Sequence, residues 1–216
     1  MLDPQRLRAT LATWAAGGPD APSAAATVRG PAGAGLTTVV LVEGVSDLGA
    51  VETLAARHGR DLTREGVCVV PIGGAMAVGR YLHILGGLAV EVRGLCDEAE
   101  EGFFRRGLAQ AGHAGELSRA AMEALGFYVC VADLEDELIR ALGVTGVERV
   151  LAGENDLARF RTFQNQPAQR GRAPVPQLRR FLGTTSGRKA HYARALVQAV
   201  DLDRVPRPLR HLLTAI

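Results

Sequence analysis

Thr37–Glu43, TTVVLVE, constrains this chain more than any other stretch of its 216 residues. It is β-branched and apolar on both faces, then stops abruptly on a glutamate. A strand that shows no polar face is covered from both sides, which is the situation inside a parallel sheet. The sequence after it repeats the unit. A helix is predicted over Asp47–His58, with Ser46 as N-cap and Leu48, Val51, Leu54 and Ala55 as its buried stripe. Further strands are predicted at Val67–Ile72, closed by Gly73-Gly74, at Ala89–Cys96 and at Phe127–Ala132. Helices follow them at Met76–Leu85, Glu98–Ala111 and Leu134–Leu142. Alternating strands and helices of this length predict an α/β fold: a four-stranded parallel core sheet flanked by helices.

Two other parts frame this core. Pro4 with Leu7, Leu11 and Trp14 predicts a short amphipathic helix, and the Gly/Pro/Ala-rich stretch from 17 to 35 reads as a linker. From about Val144 onward no strand is evident. Helical pieces are expected near Gly146–Phe163, Leu178–Leu182, Arg188–Val200 and Pro208–Ala215, separated by a Pro/Arg-rich stretch from Pro167 to Pro176. The expected organisation is an N-terminal helix and linker over 1–35, the α/β domain over 36–145, and a helical C-terminal extension over 146–216.

With 47% hydrophobic and 22% charged residues, the chain has the make-up of a globular domain. No apolar run approaches the roughly 20 residues of a membrane helix, and no secretory signal opens the sequence. Cys68, Cys96 and Cys130 stand singly in apolar runs, too far apart for a metal or redox pair, and read as reduced core residues. A cytoplasmic protein without membrane contact is expected. The five histidines are dispersed and form no ligand pair.

The net charge of +2 hides an asymmetry. From Leu157 to Val200, 44 residues, there is no Asp or Glu but nine bases, which leaves a net −7 for the rest of the chain. The expectation is cations held at one end of a site and phosphates at the other, with nucleic acid as the partner. Arg159, Arg161, Arg170, Arg172, Arg179, Arg180 and Arg188 are the candidate phosphate contacts. Phe160 and Phe163 lie among them and could stack on bases, although a Phe pair at i, i+3 is more often helix core.

Ligand sites in parallel sheets form at the carboxyl ends of the strands, and here those ends are acidic. Strand one ends at Glu43 with Asp47 four residues on. Strand three ends at Asp97, with Glu98, Glu100 and Glu101 close behind. Strand four runs into Asp133, Glu135, Asp136 and Glu137. Adjacent strand ends lie about 5 Å apart, so such acids would repel one another unless hard divalent cations joined them. Glu101 and Asp136 read instead as helix first-turn acids favoured by the helix dipole. Lys189, the single lysine among 25 bases, opens an apparent helix after a glycine. A compact ammonium there can neutralise a phosphate.

The ordered series V-L-V-E-G-V-S-D, P-I-G-G and L-C-D resembles the TOPRIM domain of topoisomerases, primases and certain nucleases. The version in the OLD (overcoming lysogenisation defect) family of endonucleases is more similar still. It pairs E-G-x-x-D with an I-G-G turn, an acidic third strand end, a D-L-E after the fourth strand and a later lysine. Glu43, Asp47, Gly73-Gly74, Asp97, Asp133-Leu134-Glu135 and Lys189 match those positions. The resemblance implies metal-dependent hydrolysis of nucleic-acid phosphodiester bonds, with DNA as the favoured substrate, by one or two metals. It implies Mg²⁺ or Mn²⁺ on Glu43, Asp47, Asp97, Asp133 and Glu135, with Glu43 also acting as general acid or base and Lys189 as a functional lysine.

The chain departs from the pattern at one place. TOPRIM domains carry D-x-D after the third strand, and Ala99 stands at the second position; Glu98 or Glu100 is the candidate substitute, each leaving the strand end in a different direction. Larger OLD proteins fuse an ATPase domain ahead of the TOPRIM domain, so either ATP is irrelevant to this chain or a separate ATPase chain is a partner. A homodimer is a further expectation. A non-catalytic TOPRIM module that binds nucleic acid or a partner is the alternative reading, and phosphoryl transfer on a small nucleotide a weaker third. Gly30–Thr37 has the outline of a phosphate loop, but Leu36 replaces the lysine and the segment precedes a strand, so it is set aside.

Overall fold

The computed structural model describes residues 3–30, 33–113, 115–183 and 187–216. Its centre is a four-stranded parallel sheet of β1 (Thr38–Val42), β2 (Val67–Pro71), β3 (Glu91–Asp97) and β4 (Phe127–Cys130), in the order β2-β1-β3-β4. All five residues of β1 are buried, as a central strand with helices on both faces requires. The expected α/β sheet is therefore present. Its register puts Val42 beside Pro71 on one side and Leu95 on the other, and Asp97 beside Cys130.

Alternation along each strand divides the apolar side chains into two cores. On one face Val39 and Leu41, with Cys68, Val70, Cys96 and Phe127, meet α1 (Pro4–Ala16), α2 (Ala21–Arg29), and later helices α4 (Val78–Leu85) and α5 (Glu101–Gln110). On the other, Val40, Val42, Val69 and Leu95 meet α3 (Val45–Arg57) and residues from the C-terminal third. The short α6 (Arg119–Ala124), capped by the Ser118 hydroxyl accepting from the Ala121 amide, leads into β4. No strong periodicity announces it, and it lies outside the sequence expectation.

Beyond β4 come α7 (Leu134–Gly153), α8 (Leu157–Gln164), α9 (Pro174–Leu182), α10 (Arg188–Ala199) and α11 (Arg207–Thr214). The helix expected over Gly146–Phe163 is two pieces. α7 kinks at Gly143 and runs on to Gly153, and Asn155, at φ 58°, turns the chain before α8. Phe160, Phe163 and Phe181 pack ring to ring at 5.2–6.5 Å in the core under β1, so the aromatic pair is buried core.

Two further expectations are corrected. The linker stretch contains α2, whose Val28 is 4% exposed and packs with Leu7 and Leu11 against the sheet, while residues 31 and 32 lie outside the described residues. Alanine-rich composition suits a helix lying in a narrow gap as well as a loose tether. Ser46 lies inside α3. The N-cap is Gly44, whose amide donates to the Asp47 carboxylate at 2.9 Å. The three cysteines are free and buried. Among the described residues no helix is long and apolar enough to cross a membrane.

Candidate active site

The carboxyl rim of the sheet gathers residues from four segments. Glu43 follows β1 directly, and its carbonyl receives the Gly73 and Gly74 amides at 3.1 and 3.3 Å. Those two residues turn with φ of 72° and 112°, a path that glycine takes without strain, so the I-G-G turn locks β2 to β1 just behind the glutamate. Asp47, 8% exposed, sits in the first turn of α3, and Asp97 ends β3. Asp133 caps α7, its Oδ1 accepting from the Asp136 amide at 2.8 Å. Glu135 follows in the first turn and is 4% exposed. Asp47, Asp133 and Glu135 thus sit at the N-terminal ends of α3 and α7.

Lys189 reaches this rim because α10 runs parallel to α3. At one end Arg57 of α3 donates to the Val197 and Val200 carbonyls that finish α10, at 2.7 and 2.5 Å. At the middle, Gly49 admits the Arg194 side chain, which would stand 2.9 Å from a Cβ at that position. The first turn of α10 then lies beside the first turn of α3, and Lys189 Nζ is 3.2 Å from Glu135 Oε2.

The electrostatics record how close the acids are. Burial, then the charges of Asp47, Glu43 and Asp133, push Asp97 up to about 8, with Lys189 opposing. Burial pushes Glu135 up to about 7 despite Lys189, and Asp47 and Asp133 add to the rise. Asp47 is also raised, by burial first. Burial alone would lower Lys189, but Glu135, Asp47 and Asp97 hold it above the ordinary lysine value. Glu43, Asp47, Asp97, Asp133, Glu135 and Lys189 therefore share one field.

They do not close on a common point. Among the described residues, no group of three Asp, Glu, His or Cys side chains is drawn together as a metal-holding set. Asp133 is tied through Oδ2 to Arg179, with Nε at 2.8 Å, and Glu135 is tied to Lys189. The donor chemistry nevertheless suits a hard cation: the set is all carboxylate, and the Oε1 of Glu135 is buried without a hydrogen-bond partner. An orphaned carboxylate oxygen among like charges is the acceptor a divalent ion would satisfy.

A cavity of about 470 Å³ opens on the Asp133, Glu135 and Lys189 side, with Arg179, Arg180 and Val175 on its far wall. Arg180 is exposed there. The other candidate arginines are largely engaged. Arg159 pairs with Asp156 at 2.9 Å, and Arg161 grips both oxygens of Glu148 at 2.9 and 2.7 Å. Arg170 and Arg172 donate to the carbonyls of Asn165 and Ala168. Arg188 lies over the Phe181 ring at 4.5 Å and 3.5 Å from Asp156. The 44-residue acid-free stretch is thus answered by Asp133, Glu148 and Asp156, acids that precede it in sequence.

Glu101 and Asp136 behave as first-turn acids with arginine partners, Arg105 and Arg119 for the first and Arg140 for the second. Sequence reasoning missed the Arg179–Asp133 pair, which joins residues 46 positions apart with no periodic signal. It also left Glu98 and Glu100 undistinguished. Glu98 is exposed and pairs with Arg119 at 2.6 Å, whereas Glu100 turns toward Glu43.

With that geometry in place, residues 37–98 match the family model of the overcoming lysogenization defect protein-like TOPRIM domain. Among solved structures, the C-terminal region of the Burkholderia pseudomallei OLD protein superposes with a TM-score of 0.60 at 20% identity. The match covers 83% of this chain and 96% of that one. The C-terminal region of the Xanthomonas campestris pv. campestris OLD protein gives 0.59 at 26% identity, over 83% and 91%. No curated protein matches the chain.

Proposed function

We propose, from the premise that this chain carries an OLD-like TOPRIM domain, that it is a metal-dependent nuclease that hydrolyses phosphodiester bonds in nucleic acid, with DNA as the favoured substrate. The observation that carries the reading is the gathering of Glu43, Asp47, Asp97, Asp133 and Glu135 at the carboxyl rim of the sheet, where Lys189 Nζ stands 3.2 Å from Glu135 Oε2 and Glu135 Oε1 is buried without a partner. Acids from separate strand ends held in one field, with a single ammonium among them, suit a site that binds cation and phosphate together. Mg²⁺ or Mn²⁺, when bound, supplies Lewis acidity toward a phosphate oxygen and a more acidic water.

The chain's own residues divide the remaining tasks. Asp47, Asp97, Asp133 and Glu135, with Glu43, are the proposed ligands. Glu43 is also the proton acceptor or donor, because it leaves the strand end half-buried at the rim. Lys189 neutralises charge on the phosphate, a role its exposed ammonium can fill while Glu135 orients it. Arg179 and Arg180, which line the adjoining cavity, are the proposed contacts to the phosphate backbone. A cytoplasmic site of action and a separate ATPase partner belong to the same proposal.

The Arg179–Asp133 pair favours a second reading, a TOPRIM module that binds nucleic acid without cutting it, since that carboxylate is already neutralised. Supercoiled plasmid incubated with the protein and Mn²⁺ separates the two. The nuclease reading expects nicked circles, and a rate lowered by about 100-fold or more in Glu43→Ala and in Lys189→Ala. Intact plasmid with wild-type protein that still retards DNA in a gel would leave the binding module.

A further inference from the structure

We propose that Glu100 completes the cation-binding acids of the rim in the place where Ala99 has no side chain to offer, an assignment that rests on the metal-nuclease reading above. The chain after β3 makes one tight 3₁₀ turn, Glu98–Glu100, before α5 begins at Glu101. Residues three apart eclipse in such a turn, so Glu98 and Glu101 lie on one side. Arg119 meets both there, with 2.6 Å contacts to each. Glu100, one position short of that side, turns the other way and lies against the Glu43 carboxyl.

What Glu100 meets there has no use for another acceptor. Its Oε2 is buried and has no hydrogen-bond partner. Only three side-chain atoms among the described residues are orphaned in this way, and two of them, Glu100 Oε2 and Glu135 Oε1, belong to acids of this one rim. Glu135 is more than nine-tenths buried. Arginines stand within reach of Glu98, Glu101 and Asp133, but none pairs with Glu100 among the described residues. The buried Glu100 oxygen, left without an arginine by a turn that sends Glu98 and Glu101 to Arg119, is an acceptor for a hard cation on the same rim as the orphaned Glu135 Oε1.

The test is Mn²⁺ binding to the full chain, measured by calorimetry, and the melting temperature with chelator and with Mn²⁺. In Glu100→Gln the affinity for Mn²⁺ should fall roughly 10- to 100-fold, as loss of a ligating group does. In Glu98→Gln it should hold. Glu100→Asp, which keeps the charge one methylene short, should fall between. In chelator Glu100→Gln should melt at or above the wild-type temperature, because a crowded carboxylate has gone, and its rise with Mn²⁺ should shrink. A purely structural Glu100 would lower the chelator melt instead. Wild-type Mn²⁺ affinity in Glu100→Gln, or an equal loss in Glu98→Gln, overturns the assignment alone. Absence of Mn²⁺ binding by the wild-type protein overturns both this assignment and the metal-nuclease reading.

Discussion

Asp97, Glu100 and Glu135 hold protons in the folded protein that an unfolded chain releases near pH 4. Folded values of about 8, 7 and 7 therefore mean that stability is lost as pH rises from roughly 4 toward 8. In chelator the urea midpoint should be lower at pH 8.5 than at pH 5.5, and Asp97→Asn should flatten that slope; an equal slope in the variant would remove Asp97 as its cause. Asp156 has the opposite sign. Burial works against it, but the Tyr192 hydroxyl and the guanidinium groups of Arg159 and Arg188 hold it below the usual carboxylate range, so its contribution disappears only in acid. At this scale the strand-end acids were legible, because a charge closing an apolar strand needs a reason and position alone supplied it. The choice between Glu98 and Glu100 was not, since it depends on a single 3₁₀ turn, and neither was the pairing of Arg179, whose partner lies far away in sequence.

The strands were legible from β-branched runs that lack a polar face, and each was found within a few residues of its bounds. The helix α2 was hidden because Ala, Pro and Gly are also what a tether is made of, and only the packing of Val28 against Leu7 and Leu11 distinguishes them. The pair α1–α2 is accordingly part of the second core, with Leu11 fully buried. Leu11→Ala should cost about 2–5 kcal/mol in urea unfolding, the range for a leucine removed from a packed interior. A loss below about 0.5 kcal/mol, typical of surface substitutions, would show that these helices sit on the domain without supporting it.

The division at 145/146 drawn from the sequence follows the end of the strands, while the packing crosses it. α7 passes through that point, and one face of the sheet is covered jointly by α3 and by Phe160, Phe181, Tyr192, Leu196 and Leu212. Arg60 donates to the Leu213 carbonyl at 2.6 Å, and Arg93 to the Ala215 carbonyl at 3.3 Å, fastening the last helix beneath β3. A chain ending at residue 145 should therefore lose the cooperative urea transition that the full chain shows by circular dichroism; a truncated protein that unfolds sharply would restore an independent α/β domain. The parallel course of α3 and α10 carries a further meaning. Asp133 and Glu135 find their positive counterparts, Arg179 and Lys189, in the distant acid-free stretch. On the proposed reading, a copy clipped ahead of residue 179 keeps every carboxylate of the rim but loses both of the cations that sit among them.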